Sequence, residues 1–299
     1  MRNPHTVSPL PVWQHTLAAP VSYRGMGLYS GKAVHLRVLP ADADTGRHFI
    51  RTDLQGPAQP IAASARAVCA TKRCTTLGND NGASLAMVEH MLAALNAFGV
   101  DNAILEVDGA EMPGMDGCAS MFCEKIIDAG LQRQQAPRRY IEILRPFGLE
   151  ADGSRVVLEP GDDPGLHISA FIDYPDTLIG AQSHDFMLTA HAFADQIAPA
   201  RTFAMKAEVA AMQQAYLDSG GDLDDCLIVD GMVLEPSQTL RFDNEFARHK
   251  VLDIVGDIAL AGAPIVGRYR SHKGGHALNT ALVNTLLDDP DAWRWRTFA

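Results

Sequence analysis

Residues 84–99, Ser-Leu-Ala-Met-Val-Glu-His-Met-Leu-Ala-Ala-Leu-Asn-Ala-Phe-Gly, constrain the fold more than any other stretch. Ser84 is a good N-cap and Gly99 a good C-terminal stop, so the pattern predicts a helix between them. That helix is apolar nearly all round and has to be covered by other elements on most sides. Its only titratable side chains are Glu89 and His90. A carboxylate buried without partners is costly. Glu89 therefore belongs either to a hydrogen-bonded core pair or to a site that uses it.

The elements that cover such a helix can be read along the chain. Residues 33–39 alternate (Val34, Leu36, Val38 against His35, Arg37) and predict a half-buried strand. Short strands are expected at 14–18, 48–52, 61–65, 74–77 and 102–107, and a second helix at 119–129. Residues 24–31 carry three glycines and read as a turn-rich loop; no helix follows, which excludes a dinucleotide fingerprint. Residues 131–138 are polar with a proline near the end and read as a linker. Beyond it, strands are expected at 140–144, 155–158, 166–172, 185–188, 227–229, 232–234 and 265–269. Helices are expected at 192–196, 206–216 and 245–257, and residues 272–279 open a last one that runs to about 287. Each half thus has several strands and about two helices, an α+β order rather than strict β-α-β alternation. The expected domains are 13–133 and 139–299.

Composition narrows the function. A net charge of −11 argues against a general nucleic-acid binder. The five cysteines form no C-x-x-C pair and no zinc-finger spacing, which suits a reducing compartment. No run approaches the length of a membrane span, and Pro4, Pro9 and Pro11 interrupt the N-terminus. The expectation is a soluble cytoplasmic protein, and a monomer.

The stretch Glu245-Phe-Ala-Arg-His-Lys-Val-Leu-Asp-Ile-Val-Gly-Asp257 places His249, Asp253 and Asp257 at i, i+4 and i+8, on one helix face. Alone, such a His/Asp pair is most often an ordinary solvated pair. With His90, however, it makes two imidazoles and a carboxylate, the ligand count of a catalytic zinc with a position open to water. Glu89, beside one of those ligands, is placed to take a proton from that water. His276, in a glycine-flanked turn before a helix, is either a second charged group of this site or a helix cap.

The set of motifs resembles one family. These are Gly25-Met-Gly-Leu-Tyr-Ser-Gly31, Cys74-Thr-Thr-Leu77, Val88-Glu-His90, Met115-Asp-Gly117, Ala200-Arg-Thr-Phe203, Arg241 to Asp257, and Lys273-Gly-Gly-His-Ala-Leu-Asn279. Their order and spacing over roughly residues 13–298 are similar to those of the UDP-3-O-acyl-N-acetylglucosamine deacetylases, zinc amidases of lipid A synthesis. The resemblance implies two similar α+β domains packed helix to helix, a β-α-α-β sandwich. It implies zinc (ferrous iron accepts the same donors) on His90, His249 and Asp253, with Glu89 as general base. It further implies Thr202 at the oxyanion, a protonated His276 as acid and Asp257 orienting it. Lys250, Phe203, Asp173 and Tyr174 would contact the UDP-3-O-acyl-N-acetylglucosamine substrate, and residues 204–222 would form a passage for its acyl chain. Tyr29 stands where the family usually has histidine, and Lys72 and Arg73 where apolar residues are common. Leu144 stands where a diphosphate-contacting lysine is common, leaving Arg145 as the nearest cation. The alternatives are an amidase of the same fold acting on another N-acyl sugar or nucleotide, and a non-enzymatic relative, which would be expected to have lost Glu89 or a ligand.

Overall fold

The computed structural model describes residues 10–55, 60–209, 226–235 and 238–298. Four layers follow one another in a mixed α+β arrangement: sheet, helices, helices, sheet. The first sheet runs in the order Val21–Met26, Ala33–Pro40, Ala103–Val107, Arg47–Arg51, Ile61–Ala62. The alternation in Ala33–Pro40 does what period two demands: Val34, Leu36 and Val38 are buried and their neighbours are not. The sheet of the second half is seven-stranded, with Ile265–His272 at its centre. That strand pairs antiparallel with Ser154–Glu159 and parallel with Leu166–Tyr174 and Tyr140–Ile143.

Among the described residues, four long helices lie between the sheets, Glu89–Ala97, Ser120–Ala129, Glu245–Ile258 and His276–Asp288. The Ser120 helix rests on the Val21–Met26 strand, and the His276 helix on Phe147–Ala151 and Ser154–Glu159. The Glu89 and Glu245 helices pack on each other across the middle of the molecule. A single apolar core therefore runs through both halves, from Leu36 and Phe49 through Leu92 and Leu252 to Tyr269 and Leu282. A smaller core (Ile172, Leu227, Phe246) lies beside the three-stranded sheet Phe203–Met205, Leu227–Asp230, Val233–Leu234.

The middle contact depends on one residue. A Cβ built on Gly256 would lie 2.1 Å from the Glu89 carbonyl oxygen and 2.9 Å from its Cα. Only glycine lets the two backbones come this close.

Three expectations need correction. The first helix begins at Glu89, not after Ser84: Ser84–Leu85 pairs with Thr76–Gly78, and the chain turns into the helix through Met87 at φ 63°. Gly99, at φ 73°, does end it as expected. Residues 131–138 are not a free linker. Leu131–Pro137 pairs antiparallel with Trp13–Leu17, and the buried Arg138 donates from Nε to Asp101 at 2.9 Å. The glycine-rich 24–31 segment opens as strand, Val21–Met26, and only then becomes a turn. Strands at Phe147–Ala151 and Trp293–Arg296 were not foreseen. Most of the helix expected at 206–216 lies outside the described residues.

Candidate active site

The predicted polar row on the Glu245 helix exists, and it is buried rather than solvated. His249, Asp253 and Asp257 are 3 %, 4 % and 0 % exposed. His90, in the first turn of the facing helix, brings its ring edge-on to that of His249, centroids 5.1 Å apart. Asp253 Oδ1 lies 3.4 Å from His249 Nε2 and 3.8 Å from His90 Nε2. One ligand atom from each of these residues falls within a span of 4.8 Å, the grouping a metal ion needs. His249 is oriented by its other nitrogen: Nδ1 donates to the Ala200 carbonyl at 3.0 Å, which fixes Nε2 as the free, lone-pair nitrogen. The outer oxygen of Asp253 accepts from Lys250 Nζ at 2.7 Å.

Protonation follows from burial and charge. Burial, followed by the neighbouring His249, brings His90 down to about 3, so it is a neutral donor at pH 7. Burial lowers His249 as well. In Asp253 burial works upward, but Lys250 and the surrounding imidazoles outweigh it and hold the carboxylate well below its usual range. Two neutral imidazoles and a carboxylate suit a divalent first-row cation.

Glu89 and His276 sit beside this cluster. Glu89 is 2 % exposed, and its Oε2 accepts from the Thr75 amide at 3.1 Å. Oε1 is 3.9 Å from His276 Nε2. Burial pushes the Glu89 carboxyl up to about 8, against the pull of His276. His276 opens its helix after Gly275 and holds Asp257 Oδ2 through Nδ1 at 2.8 Å. Burial disfavours its charge, yet Asp257 beside it, with Asp253 and Glu89, lifts it to about 10. An imidazole held in its charged form and a carboxyl pushed toward its protonated form thus stand within 4 Å of each other.

A cavity of about 230 Å³ opens over the cluster. Thr202, Phe203, Tyr174 and Lys250 line it together with Glu89, His90, His249 and Asp253. Phe203 packs edge-on against Tyr174, Phe246 and His249. The Thr202 backbone is pinned on both sides, its amide to the Gly117 carbonyl and its carbonyl to the Leu227 amide, each at 2.8 Å. Two sequence candidates are elsewhere. Asp173 pairs with Lys273 at 2.9 Å, and the half-exposed Arg145 pairs with Asp289; neither is among the residues lining the cavity.

A family profile for UDP-3-O-acyl N-acetylglycosamine deacetylases matches residues 14–288. The chain belongs to this deacetylase family. Among the family's proteins, the UDP-3-O-acyl-N-acetylglucosamine deacetylase of Phenylobacterium zucineum is 43% identical over 288 residues, 96% of this chain and 98% of that one. The deacetylases of Vibrio cholerae and Actinobacillus succinogenes are 39% and 37% identical, each over 95% of this chain and 93% of their own.

Several residues of the family motifs have roles that the sequence alone does not show. Glu245, fully buried, accepts from the Arg201 amide and guanidinium and from the Arg241 amide, and so ties the 200–203 segment to the helix that carries His249 and Asp253. Thr75 and Asn279 both donate to Asp257. Their signal was polar residues inside apolar surroundings, Cys74-Thr-Thr-Leu77 and His276-Ala-Leu-Asn279.

Proposed function

We propose that this chain hydrolyses the N-acetyl group of UDP-3-O-acyl-N-acetylglucosamine, releasing acetate and the free amine for lipid A synthesis. The observation that carries the reading is the convergence of His90, His249 and Asp253 beside a buried Glu89 and the His276–Asp257 pair. A divalent cation held by those three residues, Zn²⁺ or Fe²⁺, would supply a water of lowered pKa and polarise the amide carbonyl. The residues do the rest. With Oε2 held by the Thr75 amide, Glu89 takes the proton of the attacking water on Oε1. The Thr202 hydroxyl stabilises the oxyanion as the C–O bond forms. The C–N bond breaks as His276 Nε2–H protonates the departing nitrogen, with Asp257 fixing the ring through Nδ1.

Phe203 and Tyr174 offer aromatic faces to the sugar and nucleotide, and Lys250 a cation, all lining the cavity. Asp173, next to Tyr174 in the chain, is assigned to the nucleotide, and Arg145 to the diphosphate. Met205, Val209 and Ile228 give one side of the cavity an apolar wall suited to an acyl chain; residues 210–225 lie outside the described residues. We take 13–133 and 139–299 as the two domains, a monomer as the working unit and the cytoplasm as its place. Among the described residues no helix is long and apolar enough to cross a membrane.

The pairing of Arg145 with Asp289, away from the cavity lining, favours one alternative, an amidase of this fold acting on a different N-acyl sugar. Both readings are tested by acetate release from UDP-3-O-acyl-N-acetylglucosamine, using metal-stripped protein, zinc-restored protein and Glu89→Ala. Restoration by zinc and loss in Glu89→Ala support the assignment. A metal-loaded wild type that releases no acetate overturns the substrate, and a screen of other N-acyl sugars then follows.

A further inference from the structure

The Asp257–His276 pair is held from the opposite half of the molecule by Thr75, the residue whose amide also holds Glu89. Thr75 is fully buried. Its Oγ1 lies 2.6 Å from Asp257 Oδ1 and 3.3 Å from His276 Nδ1. A carboxylate can only accept, so the single hydroxyl proton points to Asp257 Oδ1. The oxygen lone pairs are thereby turned toward His276 Nδ1, which must carry hydrogen to be satisfied there. Asp257 Oδ2 is left for His276 Nδ1 and for Asn279 Nδ2, both at 2.8 Å. Tyr269, donating its hydroxyl to Asn279 Oδ1 at 2.6 Å, orients that amide. The backbone of Thr75 meanwhile donates to Glu89 Oε2.

We propose that Thr75 is a positioning residue that sets the acid and the base of this site in one frame: its hydroxyl fixes the Asp257–His276 pair while its amide fixes Glu89. This deepens the deacetylase reading and rests on it. Thr75 is 182 positions from Asp257 in the chain. The hydroxyl is thus a contact between halves, not a local turn bond of the kind Thr280 makes to the carbonyl four residues before it.

The variants are Thr75→Val, which keeps the shape and the amide but removes the hydroxyl, and Thr75→Ser, which restores it. A hydrogen bond to a buried charge is worth enough that Thr75→Val should lower kcat roughly 10- to 100-fold. KM and metal content should stay near wild type, and Thr75→Ser should recover most of the rate. In an Asp257→Asn background Thr75→Val should cost little more, because it acts through Asp257. A second readout needs no turnover: the downfield proton on His276 Nδ1, identified by its loss in His276→Gln, should shift or broaden in Thr75→Val and return in Thr75→Ser. An unchanged resonance, a serine variant as poor as valine, or a rise in KM with kcat intact overturns the proposal. If wild type releases no acetate the deacetylase reading falls, and the resonance still decides the role of Thr75.

Discussion

Replacing Gly256 by alanine tests how tightly the two central helices must approach for the site to work. By helix propensity alone the change is favourable, about 1 kcal/mol. The new methyl, however, would sit 2.1 Å from the Glu89 carbonyl oxygen and 2.7 Å from its carbon, backbone atoms that cannot swing aside. Restoring an ordinary contact of 3.4 Å requires the start of the Glu89 helix to retreat by more than ~1 Å. Overpacking of this kind costs about 1–3 kcal/mol, so part of it is offset by the propensity gain and the fold should survive. Catalysis has no such offset, because the displaced residue is the proposed base and the next a proposed metal ligand. A misplacement of ~1 Å corresponds to roughly 100-fold in rate. The assay is kcat and KM for acetate release, with thermal unfolding and metal content measured on the same preparations. The expected result is a modest drop in Tm and a large drop in kcat. A Gly256→Ala protein with kcat within about threefold of wild type would refute the reasoning, since the interface would then have absorbed the methyl without moving Glu89.

Other outcomes follow from the same geometry. Without a cation Glu89 keeps its proton up to about pH 8, whereas His90, with a value near 3, is already neutral at pH 7. A divalent cation nearby favours the carboxylate, so metal binding at pH 7 should release about one proton. Calorimetry in two buffers of different ionisation enthalpy measures it, and release that persists in Glu89→Gln sinks the assignment to Glu89. Arg201→Met leaves the fully buried Glu245 with its guanidinium partner gone. Losing one partner of such a pair costs about 3–5 kcal/mol, to be seen as a lower midpoint in urea; an unchanged midpoint would contradict it. Arg145→Ala separates the diphosphate assignment from a plain surface ion pair with Asp289. A KM raised roughly tenfold supports a substrate contact, whereas a KM within twofold leaves only a surface pair worth about 0–1 kcal/mol.

The parts of the site legible in the sequence were those with a local period. His249, Asp253 and Asp257 share a face because the helix repeats every 3.6 residues, and nothing distant was needed to see it. The start of the first helix was not legible, because Ser84 looks like a cap only until the Thr76–Gly78 strand claims it. Leu131–Pro137 looked like a linker because, as an exposed strand, it has almost no buried face to leave an apolar pattern. The hydroxyl of Thr75, the amide of Asn279 and the space above Gly256 are all defined by residues far along the chain. Sequence periodicity carries no record of such partners.

The Glu89 helix has a long wait for the surface that covers it. Asn96 on that helix bonds the Val255 carbonyl, 159 positions later. At about 5–20 residues per second a ribosome needs roughly 10–30 s to cover that distance. Through that interval the face of the helix that meets the Glu245 helix stands open on a growing chain, and His90 waits for His249 and Asp253. The yield of active protein in a cell should therefore respond to translation speed and to the supply of chaperones that shield nascent apolar segments, even where the finished protein is stable.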